Sequence, residues 1–208
     1  MPFSNQYYIS VEIRYRNNWL GNWLVIDGVT TTREVFYGVT SQGVAPYFCM
    51  EKKICSFFGH RDVKITDRSY VMIADEIMKA IEFGCRIFYF GGYGIFDGLC
   101  REIVTKIREE TPELEIRRVY CVSQERYLRK NVRYFNREDY DEIIYLTPSF
   151  DGWYKSIYFR NCAMIDRSDY IIFYAENRED SGAYKAYKYA KKKSDKQIIN
   201  IWGIAQTQ

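Results

Sequence analysis

The amino-acid sequence predicts an α/β fold, a doubly wound and mainly parallel sheet with helices on both faces. Three observations carry that expectation. From Lys52 onward, short runs rich in aromatic and β-branched residues alternate with stretches of helical period. The runs Ile87–Phe90 and Tyr170–Tyr174 are apolar at every position, as strands buried on both faces are. Between the first of these and the next helical stretch lies a turn containing Gly91, Gly92 and Gly94.

Residues 1–49 stand apart. They carry Asn, Thr, Gly and Trp without helical period, and Tyr7–Tyr15 and Glu34–Val39 are β-like pieces. The α/β alternation is complete without them. They are therefore expected to be an N-terminal extension outside a domain spanning 50–208, either a β-rich arm or a stretch that a natural start at Met50 would leave out.

Within 50–208, Lys53–Phe58 reads as a strand followed by Gly59, His60 and Arg61. Thr66 or Asp67 can cap a helix whose apolar face holds Val71, Ala74, Ile77, Met78 and Ile81, with Gly84 ending it. The strand before the glycine turn comes next. A helix is then expected from Asp97 to about Glu110, with Leu99, Ile103 and Ile107 on one face and Pro112 as its stop. Glu115–Val122 reads as a strand, 123–140 as a short helix and loop, and Glu142–Leu146 as a short strand before Pro148. Trp153–Arg167 is helical, with Ile157, Met164 and Ile165 inward, and it leads into the strand Tyr170–Tyr174. A polar loop then reaches Gly182, a helix follows from Ala183 to Lys193, and Gln197–Trp202 reads as the last strand.

Composition bounds the function. The net charge of +3 is small, so nucleic acid is not an expected partner. The 20 tyrosines fall largely in strand-like runs, where packing and sheet propensity account for them. Six cysteines show no C-x-x-C pair and no metal-ligand spacing, so they read as buried thiols in a reducing cytoplasm, with no metal site. No run is long enough to span a membrane and no signal-peptide pattern opens the chain.

The candidate chemistry lies where strands end. A strand, a glycine turn and a helix start together make a phosphate site, because glycines let backbone N–H groups approach and the helix start is partially positive. The dinucleotide fingerprint G-x-G-x-x-G is met only loosely, since Gly92, Gly94 and Gly98 are spaced by one and then three residues. Ser181 and Gly182 stand at a second helix start with the same physics. Arg61 offers forked donors suited to phosphate, and His60, the only histidine, is expected to contact the ligand beside it. For Asp97, capping of its helix and contact with a ligand hydroxyl both stand open. For Tyr93, stacking on a base and packing on the surface both stand open. Asp166 is expected to brace its helix, and Lys188, Lys191, Lys192 and Lys193 to form a solvated face.

Three segments carry a resemblance to a known superfamily. CSFFGHRD resembles the opening strand and turn of the SLOG proteins, FYFGGYGIFD their glycine turn, and RNCAMIDRSDYIIFY their later helix and strand. That superfamily of Rossmann-like proteins includes the LOG nucleotide phosphoribohydrolases, the DNA-processing protein DprA and small YpsA-like proteins, to which this chain is most similar. The resemblance runs from Glu51 to about Trp202. It implies a Rossmann-like sheet that binds a nucleotide or nucleotide derivative, with Gly59, His60, Arg61, Gly91, Gly92, Tyr93, Gly94, Asp97, Arg160, Asn161, Ser181 and Gly182 at the site. LOG enzymes carry an Arg-Lys pair and a glutamate. Here the arginine matches Arg160, the lysine position is Asn161, and the glutamate position is Ala186. The missing carboxylate argues for a sensor-like binder rather than a hydrolase, unless Asp97, Asp166 or Glu176 supplies a displaced acid. No cofactor is evident, and a homo-oligomer is left open. A LOG-like hydrolase is the second expectation and DprA-like binding of single-stranded DNA a third.

Overall fold

The computed structural model describes residues 12–18, 21–27, 37–40, 43–46, 52–123, 136–147 and 153–206. The chain divides into two units, Met1–Glu51 and Lys52–Gln208. Among its described residues, the first holds two antiparallel strand pairs. Strand β1 (Glu12–Asn18) pairs with β2 (Gly21–Asp27), and β3 (Tyr37–Thr40) pairs with β4 (Gly43–Pro46).

The second unit begins with β5 (Lys53–Gly59), then α1 (Asp67–Glu82) and β6 (Cys85–Phe90). After the glycine turn come α2 (Gly94–Glu110), a 3-10 turn at Pro112–Leu114 and β7 (Arg117–Val122). Strand β8 (Glu142–Tyr145), α3 (Trp153–Arg167) and β9 (Tyr170–Tyr174) follow, and α4 (Gly182–Ala190), β10 (Gln197–Asn200) and α5 (Ile201–Gln206) complete it. The six strands of this unit form one all-parallel sheet in the order β10-β9-β5-β6-β7-β8. The chain walks outward from β5 to β8, then crosses back to lay β9 on the other side of β5. The strand order therefore reverses between β5 and β9, the place in such a sheet where ligands bind outside the carboxyl ends of the strands.

Both faces are covered, as the apolar runs require. On one face Phe57, Phe88, Phe90, Ile172 and Tyr174 pack against Ile73 and Ile77 of α1, Phe96 and Ile103 of α2, and Ile201 of α5. On the other, Phe58, Tyr89, Ile171 and Phe173 pack against Met164 and Ile165 of α3 and Ala183, Ala186 and Ala190 of α4. Each buried Leu- or Phe-sized side chain contributes roughly 1.5–3 kcal/mol of transfer free energy, so the two layers are what hold the strand ends in place.

Local sequence sets the boundaries. Thr66 and Ser69 form a reciprocal capping box on α1, with Thr66 Oγ1 accepting from Ser69 N at 3.2 Å and Ser69 Oγ accepting from Thr66 N at 2.7 Å. Gly84 ends the helix at φ +104°, its N–H donating to Ile81 O at 3.0 Å. Two expectations are corrected. Val71 is 55% exposed, because it lies about 200° around the helix from Ile73 and the buried stripe runs through Ile73, Ile77, Ala80 and Ile81. The last strand stops at Asn200, and Trp202 belongs to α5. The 3-10 turn at Arg137–Asp139 falls in the segment expected to be helix and loop, whose residues 124–135 lie outside the described residues, as does Pro148.

Cys55, Cys85, Cys100, Cys121 and Cys162 are buried thiols, and burial pushes Cys85 up to about 12. Cys49 lies outside the described residues. Among the described residues no helix is long and apolar enough to cross a membrane, and no cluster of His, Cys, Asp and Glu could hold a metal ion.

Candidate functional site

Four segments meet where the strand order reverses: the end of β5, the glycine turn after β6, the loop after β9 with the start of α4, and the buried face of α3. His60 ties two of them together. Its Nε2 accepts from Glu176 N at 2.8 Å, and its Nδ1 lies 2.8 Å from Ser181 Oγ. An accepting Nε2 carries no proton, so the neutral ring carries its hydrogen on Nδ1 and donates it to Ser181. The Ser181 hydroxyl also accepts from Tyr184 N at 3.3 Å as the cap of α4. With its oxygen receiving two donors, its own hydrogen is left to point elsewhere. The His60 ring is 4% exposed and meets Trp202 edge-on. Burial, with Arg178 nearby, lowers its pKa below the ordinary histidine value. Both ring nitrogens are thus spent within the protein, and His60 serves the site by shaping the loop.

The same loop is held from β10. Asn200 Oδ1 accepts from Ala175 N at 3.1 Å and Asn200 Nδ2 donates to Ala175 O at 2.9 Å, extending the sheet by one side-chain pairing. Sequence reasoning missed Asn200 and Trp202, since both sit in a stretch that reads as strand.

The glycine turn is organised from within. Asp97, 6% exposed, turns its carboxylate back onto the turn: Oδ1 accepts from Gly91 N and Oδ2 from Gly92 N, each at 2.9 Å. Burial raises the Asp97 carboxyl to about 6, against the pull of those two amides and of Arg160. The Gly91 and Gly92 amides, which the sequence assigns to a ligand phosphate, are therefore engaged by the protein's own carboxylate. Arg160, 2% exposed, lies behind the turn, with Nη1 donating to Gly91 O at 2.7 Å and Cys121 O at 2.8 Å. Its guanidinium sits 5.3 Å from the centre of the Tyr93 ring, and its buried Nε has no hydrogen-bond partner among the described residues.

Close approach explains the glycines. A Cβ on Gly92, at φ +72°, would come within 2.4 Å of the Tyr120 ring. One on Gly94, at φ +86°, would come within 2.6 Å of the Arg61 Cα. One on Gly59 would come within 2.5 Å of Phe96. The Gly94 contact brings the first and second loops together, and Ile95 N donates to Arg61 O at 3.0 Å across the same junction. Gly182 is different. A Cβ there would meet nothing within 4 Å.

Of the remaining predicted residues, the Arg61 side chain is exposed and makes no ion pair among the described residues, and Asn161 is half-buried on α3. Asp166, expected to cap or brace the end of its own helix, instead accepts from the Tyr189 hydroxyl of α4 and pairs with Lys193 Nζ at 2.5 Å. Glu176 is partly exposed, with Arg178 Nε 3.5 Å away. Ala186 is 2% exposed and packed against the sheet, so that helix position presents a methyl group to the core.

No protein-family model matches this chain, and no curated protein does. Among solved structures, it is similar to DNA processing protein A from Streptococcus pneumoniae, at 11% identity and a TM-score of 0.46, over 71% of this chain and 49% of that one. The chain thus spans about half the length of that structure. DNA processing protein A from Helicobacter pylori, described for its single-stranded DNA binding mode, is similar at 13% identity and a TM-score of 0.46, over 89% of this chain and 78% of that one.

Proposed function

We propose that the edge between β5 and β9 binds a small phosphate-bearing ligand of nucleotide type, and that the domain senses or carries this ligand without hydrolysing it. One observation carries the reading: the His60–Ser181 contact brings the loop that carries Arg61 beside the Ser181–Gly182 start of α4, where the strand order reverses. The first amides of a helix have no intrahelical partners, and the helix start attracts negative charge. At α4 the approach is unobstructed, because Gly182 is exposed and carries no side chain. Ser181 adds a hydroxyl whose hydrogen is left over by the His60 contact. The exposed Arg61 guanidinium supplies a planar, permanently charged fork.

The absence of hydrolysis follows from what stands at the enzyme-like positions. Ala186 faces the core where the resembled hydrolases keep a glutamate. Asp97 is buried and committed to two amides, and Asp166 is committed to Tyr189 and Lys193. Neither Asp97 nor Asp166 is placed to handle a proton at a ribosyl bond, so a hydrolase would have to use Glu176, which is partly exposed with Arg178 Nε 3.5 Å away. Calorimetric titration with AMP, ADP-ribose, NAD and inorganic phosphate tests the binding, and chromatography of the incubated nucleotide tests the chemistry. Binding of at least one nucleotide with no product is the expected result. Release of free base at enzyme-like rates, of order 1 per second or more, would overturn the sensor reading in favour of a hydrolase.

A further inference from the structure

The glycine turn has the form of an anion nest, and the chain supplies the anion itself. Two successive amides, Gly91 N and Gly92 N, point at the two oxygens of one carboxylate, each at 2.9 Å, with Gly92 in the left-handed region at φ +72°. Successive amides in such a turn are how backbones hold phosphate or carboxylate oxygens. The carboxylate belongs to Asp97, in the first turn of α2, and it is buried. Arg160 holds the other side of the turn through the Gly91 carbonyl. We propose that Asp97 is a positioning residue that fills this nest, fixes the conformation of Gly91 and Gly92, and keeps an external phosphate off their amides. A phosphate at the same two amides would have to evict a buried carboxylate or sit beside it, and like charges in a desolvated place repel strongly. The nest admits one anion, and the helix that follows it already carries one. This role holds whether or not a nucleotide binds at α4.

Its consequence is specific. Shortening Asp97 to alanine leaves the buried Gly91 amide and the partly buried Gly92 amide without their acceptor, and a space the size of a carboxylate. A small carboxylate added to the solution can then do what the side chain did. Thermal melts of the full chain carrying Asp97→Ala, in sodium formate and in sodium chloride at matched ionic strength, read this directly. The variant is expected to melt several degrees below wild type in chloride and to recover most of that loss in formate. Wild type and Asp97→Asn, in which the space is filled, are expected to respond alike to both salts. An Asp97→Ala protein indifferent to formate, or a wild type that gains as much from formate as the variant, overturns the inference.

A measurement on the wild type covers the case in which Asp97→Ala does not fold. The amide proton resonances of Gly91 and Gly92 are expected to follow a single carboxyl titration together and to ignore added inorganic phosphate. The other charged and titratable groups around this carboxyl are Arg160 of α3, Arg101 and Cys100 of α2, Cys121 of β7 and Tyr140. None of these is expected to titrate alongside Asp97, because the arginines stay charged and burial raises the thiols and Tyr140. Independent titration of the two amides, or a saturable shift on adding phosphate, overturns the inference.

Discussion

Gly182→Pro removes one proposed ligand contact while leaving the architecture alone. Gly182 is the first residue of α4, with Ser181 as the cap. A proline at the first helical position loses only an N–H that the helix does not use, and its fixed φ suits the helix start. The preceding residue must be extended, and Ser181 already is, at φ −73° and ψ 133°. Nothing lies within 4 Å of the new Cβ. Stability should therefore hold or rise by roughly 0.4–1 kcal/mol through the less flexible unfolded chain. Ligand binding should fall. A backbone hydrogen bond to a charged group is worth about 1.5–3 kcal/mol, so affinity for ADP-ribose should drop roughly 10- to 100-fold. Gly182→Ala, which keeps the amide, should bind within about threefold of wild type and be more stable by up to about 1 kcal/mol. Calorimetry for affinity and thermal melts for stability separate these effects. A folded Gly182→Pro protein that binds as tightly as wild type would refute the contact at α4. One that fails to fold would refute the reading of its cap.

Three further outcomes follow from named contacts. Arg61→Ala should weaken nucleotide binding by roughly one to two powers of ten, measured by calorimetry, with an unchanged melting temperature because the side chain is exposed. Gly94→Ala should cost about 2 kcal/mol or more in denaturant melts, since it combines φ +86° with a Cβ 2.6 Å from the Arg61 Cα, and an unchanged midpoint would contradict the junction of the two loops. The pH dependence should contain two opposed slopes. The folded-state carboxyl of Asp97, raised from 3.8 to about 6, contributes stability that is fully present below about pH 4 and is lost as pH rises through about 6, on the order of 3 kcal/mol in all. His60, lowered from 6.5, contributes stability that is fully present above that value and is lost as pH falls through its folded pKa. In denaturant melts between about pH 4 and about pH 8, Asp97→Asn should remove the first slope and His60→Gln the second, and an unaltered profile in either variant would contradict the assignment.

The strands and helices were legible because their signals are local. Tyr170–Tyr174 is apolar at every position, and the change of period at Asp97 lies three residues after the start of α2 at Gly94. Gly84 and Thr66 announce their boundaries by chemistry that acts over one helical turn. Short α5 was lost because Ile201 and Trp202 resume the apolar run of β10 after the single polar residue Asn200, which is too little to mark a boundary. The candidate residues were legible as a set at strand ends, but what each one contacts was not. Whether His60 faces a ligand or the protein depends on Glu176 and Ser181, which the crossover to β9 brings beside it. Gly92 reads equally well as room for a phosphate and as room for Tyr120, and only the neighbouring strand supplies the ring. A valine there would be strained by its backbone and by Tyr120 together, so Gly92→Val says nothing about a ligand. The turn of Asp97 back onto Gly91 and Gly92 is local, yet capping and ligand contact ask for the same carboxylate at the same place.

The central claim is that a phosphate-bearing ligand lies against Arg61 and the start of α4 without being cleaved. Titrating the isotopically labelled full chain with ADP-ribose, while following backbone amide resonances, tests it most directly. The account predicts saturable shifts at Arg61, Ser181 and Gly182, small changes at Gly91 and Gly92, and intact ADP-ribose at the end. No saturable shift, shifts confined to other parts of the chain, or release of ribose phosphate during the titration would contradict it.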